Sequence, residues 1–62
     1  MKKAAFARVA KIAQINPKNV EEIQDYLAEV MAYFNKADSE WDSLSDEYII
    51  LLCEQYEDEV FT

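Results

Sequence analysis

Apolar residues recur along most of the chain at the three- and four-residue spacing of amphipathic helices. The pattern covers residues 3–15, 17–35 and 45–60, approximately, and we find no alternation of useful length that would indicate a β-strand. The links between these segments are short, so successive helices are expected to run in opposite directions. The sequence therefore predicts one all-α domain over residues 1–62, a small antiparallel three-helix bundle with up-down-up order.

The start of the second helix can be assigned in two ways. Asn16 can cap a helix whose first position is Pro17, and Ile15 before it can supply the apolar contact of a hydrophobic staple. Asn19 and Glu22, three residues apart, offer a later start that resembles a capping box. We favour Asn16, because it is the candidate that follows an apolar residue.

The third helix has a clear start at Ser45, whose hydroxyl can cap the first turn. Asp46 and Glu47 then lie in that turn, where the helix dipole favours acidic side chains. In the connection before Ser45 we expect a short helical turn led by Asp38, and we expect Trp41 to cover one end of the bundle.

The third helix is apolar on more than one side. When its residues are placed at 100° intervals around the helix axis, six apolar residues form a core face, and three more lie on the outer side among acidic neighbours. A helix of this kind is either deeply buried or contacts a partner, and a chain of 62 residues buries little. The predicted core face is Tyr48, Ile49, Leu52, Cys53, Tyr56 and Val60, and the outer residues are Ile50, Leu51 and Phe61.

Charge is distributed very unevenly along the chain. The net charge is −7, yet residues 1–18 contain five basic residues and no acidic one, while residues 19–62 contain all 13 acidic residues and one lysine. Several of these acids crowd the last turns of the third helix, where the helix dipole disfavours them. The acidic face can be a solubilising surface, a docking surface for a basic partner, or a mimic of nucleic-acid phosphates.

The candidate chemistry for catalysis and metal binding is weak. One cysteine and no histidine exclude an internal disulfide and the common zinc sites. Cys53 has no histidine to activate it, so we expect a buried structural thiol, no enzyme activity and no cofactor. Four acidic residues have calcium-loop spacing, but Ser43 replaces the glycine of the turn and Ile49 the bidentate glutamate, so we expect no metal. These four are Asp38, Glu40, Asp42 and Asp46.

The basic first helix has several interpretations. Its cations can contact nucleic-acid phosphates weakly, pair with acidic residues of the same chain, or pair with the acidic end of another copy. We do not expect direct nucleic-acid binding to be the main function, because the rest of the chain repels phosphates. No signal sequence or membrane span is recognised, so we expect a cytoplasmic protein without membrane contact. The basic residues concerned are Lys2, Lys3, Arg8 and Lys11.

The sequence thus favours a small acidic protein-interaction module of the inhibitor type, which binds and occludes a basic groove of a larger protein. In composition, but in no motif, it resembles as a type the virus-encoded inhibitors of host proteins. The alternatives are a homo-oligomeric assembly subunit, for example a homodimer, and a weak nucleic-acid binder. The expected partner-binding residues are Glu47, Ile50, Leu51, Glu54, Glu57, Asp58 and Phe61, extended by Tyr26 and Tyr33.

Overall fold

Three α-helices account for most of the chain: α1 (Lys3–Ala13), α2 (Val20–Tyr33) and α3 (Asp46–Phe61). The computed structural model describes residues 3–37 and 43–61. Each helix packs against the other two, and α1 and α3 share the most extensive interface. The end of α1, the start of α2 and the end of α3 border one groove, as an up-down-up order requires. The predicted all-α three-helix bundle is confirmed.

The first two helices end with a residue in the left-handed conformation, although the chain contains no glycine. Gln14 has φ 60° and Asn35 has φ 63°. After each of them, the next backbone N–H donates to the carbonyl five residues earlier, at 2.8 Å in both cases. This is the Schellman arrangement, in which glycine is the usual left-handed residue. It ends α1 and α2 about two residues earlier than predicted.

Helix α2 begins after Asn19, and the preference for Asn16 as its cap is wrong. The Asn19 Oδ1 atom accepts a hydrogen bond from the backbone N–H of Glu22 at 3.1 Å. Its Nδ2 group donates to Oε2 of Glu22 at 3.0 Å. This side-chain bond replaces the second bond of a capping box, because the backbone N–H of Asn19 donates to the carbonyl of Asn16 at 2.9 Å. The Asn16 side chain instead accepts from the N–H of Lys18 at 2.9 Å and closes a turn two residues on.

Helix α3 begins where the sequence predicted. The backbone N–H of Tyr48 donates to Oγ of Ser45 at 3.2 Å, which is the expected capping bond. Leu44, just before the cap, is partly buried against the core. The predictions for Asp38 and Trp41 lie outside the described residues.

All three helices contribute to one hydrophobic core. The sequence predicts an inner stripe of α2 formed by Val20, Ile23, Leu27, Val30, Met31 and Phe34. It is confirmed except that Val20, at the start of the helix, is 44% exposed. Two alanines of α1, Ala5 and Ala10, are buried, and small side chains allow close approach of a neighbouring helix. The main buried cluster consists of Val9 and Ala10 from α1, Ile23, Leu27, Val30 and Met31 from α2, and Ile49, Ile50, Leu52 and Cys53 from α3.

The rotation of α3 about its own axis differs from the prediction. Ile50, predicted to lie on the outer side, is buried with 4% exposure. Tyr48, predicted to lie in the core, is 40% exposed. Val60, also predicted to lie in the core, is 42% exposed, but at 100° per residue it stays within the arc of the buried residues, so rotation does not account for its exposure. Leu51 and Phe61 are exposed as expected. The buried arc is therefore displaced by about 50° when residues are placed at 100° intervals.

The cause of this displacement is the composition of α3. Apolar residues occur around most of its circumference, so its own pattern does not select one face. The packing of α1 and α2 against it selects the face, and Ile50 is thereby removed from the surface that a partner could contact.

Candidate interaction surface

The exposed faces of α2 and α3 carry acidic side chains and no basic ones. Helix α2 contains four acidic residues and no basic one, and α3 contains six acidic residues and no basic one. Most of them are exposed, so their charges act on the surrounding solvent and on approaching molecules. The exposed members are Glu21, Glu22, Asp25 and Glu29 on α2 and Glu47, Glu54, Asp58 and Glu59 on α3.

Four exposed residues of α3 share one narrow face, which we call the acidic stripe: Glu47, Leu51, Glu54 and Asp58. At 100° per residue they fall within about 60° of one another. Leu51, 59% exposed, is the apolar member among three carboxylates. The acidic stripe therefore holds four of the seven predicted contact residues of α3.

Two of the predicted contact residues on α2 form hydrogen bonds with α3 instead of pointing freely into solvent. The Tyr26 hydroxyl donates to Oε2 of Glu57 at 2.8 Å, and the Tyr33 hydroxyl donates to Oε1 of Glu59 at 2.8 Å. Gln55 donates from Nε2 to the other oxygen of Glu59 at 2.8 Å. These bonds place tyrosine donors beside two of the acids that the helix dipole disfavours. Sequence reasoning missed them, because they join residues 31 and 26 positions apart and no local pattern encodes such pairs.

These hydrogen bonds shift the pKa values of the side chains that form them. Burial, and then the bond to Glu57, raises the pKa of Tyr26 far above its ordinary value. The bond to Glu59 raises the pKa of Tyr33. The pKa of Glu59 is lowered by its bonds from Gln55 and Tyr33, so Glu59 stabilises the fold above its ordinary pKa and loses that effect as the pH falls.

Tyr56 is the centre of an aromatic cluster that joins α2 to the end of α3. Its ring packs edge-to-face against Tyr33, Tyr26 and Phe61, with centroid distances of 5.3, 5.7 and 6.3 Å. Tyr33 also packs against Phe34, at 5.0 Å between centroids. Such contacts add to stability beyond simple burial and hold each ring in a defined orientation.

The cluster forms part of an open groove, which we call the acidic groove, with a volume of about 350 Å³. Ala13 and Ile15, at the end of α1, contribute apolar surface to it. Three aromatic rings and four carboxylates complete its lining: Tyr26, Tyr56 and Phe61, with Glu22, Asp25, Glu29 and Glu57. Phe61 is 70% exposed, so its ring is accessible to a molecule that enters the groove. Seven of the nine predicted contact residues are thus divided between two surfaces, the acidic stripe and the acidic groove, while Ile50 is buried and Tyr33 lines neither surface.

Cys53 is buried within the core, as predicted. Burial, followed by the nearby charges of Glu57 and Glu54, raises the pKa of its thiol to about 12. The thiol is therefore protonated and shielded at neutral pH, which does not suit a nucleophile.

Among residues 3–37 and 43–61, no group of three acidic or thiol side chains is arranged to hold a metal ion. No helix in this part of the chain has the length and apolar character needed to cross a membrane. Arg8 and Lys11 are exposed on α1, whereas the expectations for Lys2, Asp38 and Glu40 fall outside the described residues.

A comparison of the chain with models of protein families, with curated proteins and with solved structures finds no match.

Proposed function

We propose that this protein is a small acidic interaction module that binds and occludes a basic surface of a larger protein, in the manner of an inhibitor. The observation that carries the proposal is the charge of α2 and α3, whose exposed faces carry carboxylates while neither helix contains a basic residue. A basic partner surface complements this field, which accelerates association and favours the correct partner.

The stability of so small a domain supports a functional reason for the charge. A chain of 62 residues has a free energy of unfolding of roughly 3–9 kcal/mol at the usual value per residue. Carboxylates near a helix C-terminus each cost about 0.3–1 kcal/mol, and their mutual repulsion adds to that cost. Glu57 and Glu59 accept bonds from Tyr26 and Tyr33, which gives those two acids a structural role. Because stability alone would favour basic residues elsewhere near the end of α3, which has none, binding is the better explanation of acids such as Glu54.

The acidic stripe indicates the form of the partner surface. Leu51 lies between Glu47, Glu54 and Asp58, and an apolar side chain inside a polar ring is the usual arrangement of a binding hot spot. The proposed partner therefore has a basic groove with an apolar recess that accepts Leu51. Grooves that bind nucleic-acid phosphates have this basic character, and carboxylates along α3 can take the place of phosphates there.

The test compares two charge reversals of equal size. Glu54→Lys changes the acidic stripe, and Glu21→Lys changes an exposed acid of α2 that borders neither the stripe nor the acidic groove. Wild-type and variant proteins are immobilised, proteins are captured from lysate, and the main captured basic protein is purified for titration calorimetry. We expect Glu54→Lys to weaken binding about tenfold or more and Glu21→Lys to weaken it less than about threefold. Equal weakening by both variants, or enrichment of no basic protein, would overturn the proposal.

The exposure of Leu51 and Phe61, 59% and 70%, favours a second candidate, a homo-oligomeric subunit. In that case the two side chains are buried against another copy. Sedimentation equilibrium distinguishes the candidates, because the inhibitor proposal expects a monomer. A dimer that Leu51→Glu converts to a folded monomer would support the second candidate instead.

A further inference from the structure

The acidic groove has a size and lining suited to one cationic side chain. Its volume of about 350 Å³ is near the lower end of the roughly 300–1,000 Å³ of typical ligand pockets. A whole helix does not fit such a groove, but an extended side chain does. Aromatic rings and carboxylates together are the surfaces that bind organic cations, through ring faces and through charge-assisted hydrogen bonds.

The carboxylates of the groove are arranged around the aromatic cluster. Glu57 is positioned by the Tyr26 hydroxyl, which donates to its Oε2 atom at 2.8 Å. Glu29, on the preceding helix, and Glu57 both act electrostatically on Tyr56, whose pKa is raised first by burial and then by these two charges. A cation beside the Tyr56 ring is therefore attracted by carboxylates of both helices.

We propose that the acidic groove binds the guanidinium group of an arginine side chain carried by the partner protein. The proposal rests on the proposed function and identifies an anchor residue of the partner. A guanidinium is planar, stacks on aromatic rings and directs five N–H donors to separate acceptors, whereas an ammonium group is a compact and strongly hydrated charge. The three rings and four carboxylates of the groove match the first of these cations better.

Near the end of α3 the acidic groove adjoins the acidic stripe through Phe61, whereas Tyr56 and Glu57 of the groove lie about 160° and 60° from Glu54 at 100° per residue. Phe61 borders the groove and, at 100° per residue, lies about 20° from Glu54 of the stripe. One basic segment can therefore place an apolar residue against Leu51 and an arginine in the groove. The groove thus supplies specificity for one side chain, in addition to the general attraction of the acidic surface.

The experiment uses the full chain and a short blocked peptide of alternating arginine and serine. Matched peptides carry lysine, or the neutral isostere citrulline, in place of arginine. Binding is followed by NMR titration of the aromatic resonances of Tyr26, Tyr56 and Phe61. We expect the arginine peptide to bind about tenfold or more tightly than the citrulline peptide and to be preferred to the lysine peptide. Equal binding of the arginine and lysine peptides, or of the arginine and citrulline peptides, overturns the assignment of a guanidinium.

Two double variants that remove the same charge locate the site. Asp25→Asn with Glu29→Gln changes the groove, and Glu21→Gln with Glu59→Gln changes exposed acids outside both the groove and the acidic stripe. All four residues are exposed, so both variants are expected to fold, which circular dichroism checks. We expect about a tenfold loss of affinity for the arginine peptide in the groove variant and less than a threefold loss in the control.

The outcomes separate this inference from the proposed function. An equal loss in both double variants shows general attraction by net charge and overturns the groove inference. The binding of the basic protein captured in the Glu54→Lys experiment is then measured again with the groove variant. If it is unchanged there but weakened by Glu54→Lys, the proposed function stands and the groove inference fails.

Discussion

Truncation of two adjacent residues of α3 gives a direct test of how the helix is rotated in the bundle. Ile50 is 4% exposed and belongs to the core cluster, whereas Leu51 is 59% exposed on the acidic stripe. The sequence placed both on the outer side. We therefore expect Ile50→Ala to destabilise the protein strongly and Leu51→Ala to leave its free energy of unfolding almost unchanged.

The magnitude for Ile50 follows from burial. Replacement by alanine removes three carbon atoms from the core. At about 0.8 kcal/mol per buried methylene, the lost burial alone lowers the free energy of unfolding by about 2.4 kcal/mol. The cavity raises the loss to about 2–5 kcal/mol, and the better helix propensity of alanine offsets about 0.5 kcal/mol. For Leu51, with little burial to lose, the expected change lies within about 0.5 kcal/mol.

The assay is urea denaturation followed by far-ultraviolet circular dichroism. The expected loss in Ile50→Ala is a large part of the total stability of roughly 3–9 kcal/mol for a chain of 62 residues. Ile50→Val is therefore included, with an expected loss of about 0.5–1.5 kcal/mol and a thermal midpoint lower by about 4–8 °C per kcal/mol. If Leu51→Ala costs as much as Ile50→Ala, or Ile50→Val costs nothing, the rotation of α3 described above is refuted.

Three further predictions concern the helix ends, the tyrosine bonds and alkaline pH. Gln14→Gly should stabilise the protein by about 1 kcal/mol, because glycine adopts positive φ without strain. Asn35→Gly should stabilise it less, because asparagine tolerates positive φ better than glutamine does. A lower urea midpoint for Gln14→Gly would contradict the assignment of Gln14 as the left-handed residue that ends α1. Tyr26→Phe should cost about 1–2 kcal/mol through loss of the half-buried bond to Glu57, whereas Tyr33→Phe should cost clearly less, since Tyr33 is 46% exposed and solvent weakens its bond to Glu59. Equal losses of stability in thermal denaturation would count against this difference. Burial raises the pKa of the Cys53 thiol from 9.0 to about 12. The stability that the neutral thiol contributes is therefore complete below about pH 9 and is lost as the pH rises, by at most about 1.4 kcal/mol per pH unit. Urea denaturation between pH 8 and 11 should show this fall, and an identical dependence of stability on pH in Cys53→Ala would exclude the thiol as its cause.

Local interactions explain the parts of the fold that the sequence predicted. The start of α3 depends on the Ser45 hydroxyl and the Tyr48 amide three residues later, so it could be located without knowledge of the other helices. The same holds for the inner stripe of α2, where Ile23, Leu27 and Val30 are buried at helical spacing. The start of α2 also depends on local residues, but Asn16 and Asn19 could each cap the helix. The structure selects Asn19, whose side chain forms hydrogen bonds with Glu22.

The candidate site was predictable in its charge but not in its geometry. Residue counts alone indicate an acidic surface, since neither α2 nor α3 contains a basic residue. The pairing of Tyr26 with Glu57 joins residues 31 positions apart, and the acidic groove forms where three helix ends meet. Contacts between residues so far apart in the sequence follow from the packing of the helices, and no local sequence pattern encodes them.

By itself, the sequence determined the helical class, the number of helices, the cap of α3 and the sign of the charge on its surface, because each depends on residues within one or two turns. The tertiary structure decided which side of α3 is buried. Ile50 and Leu51 are similar apolar neighbours, and one is buried and the other exposed because α1 and α2 pack against one side of a helix that is apolar nearly all round. It also divided seven of the nine predicted contact residues between the acidic stripe and the acidic groove, since the positions of Tyr26, Tyr56 and Phe61 depend on how the helices pack.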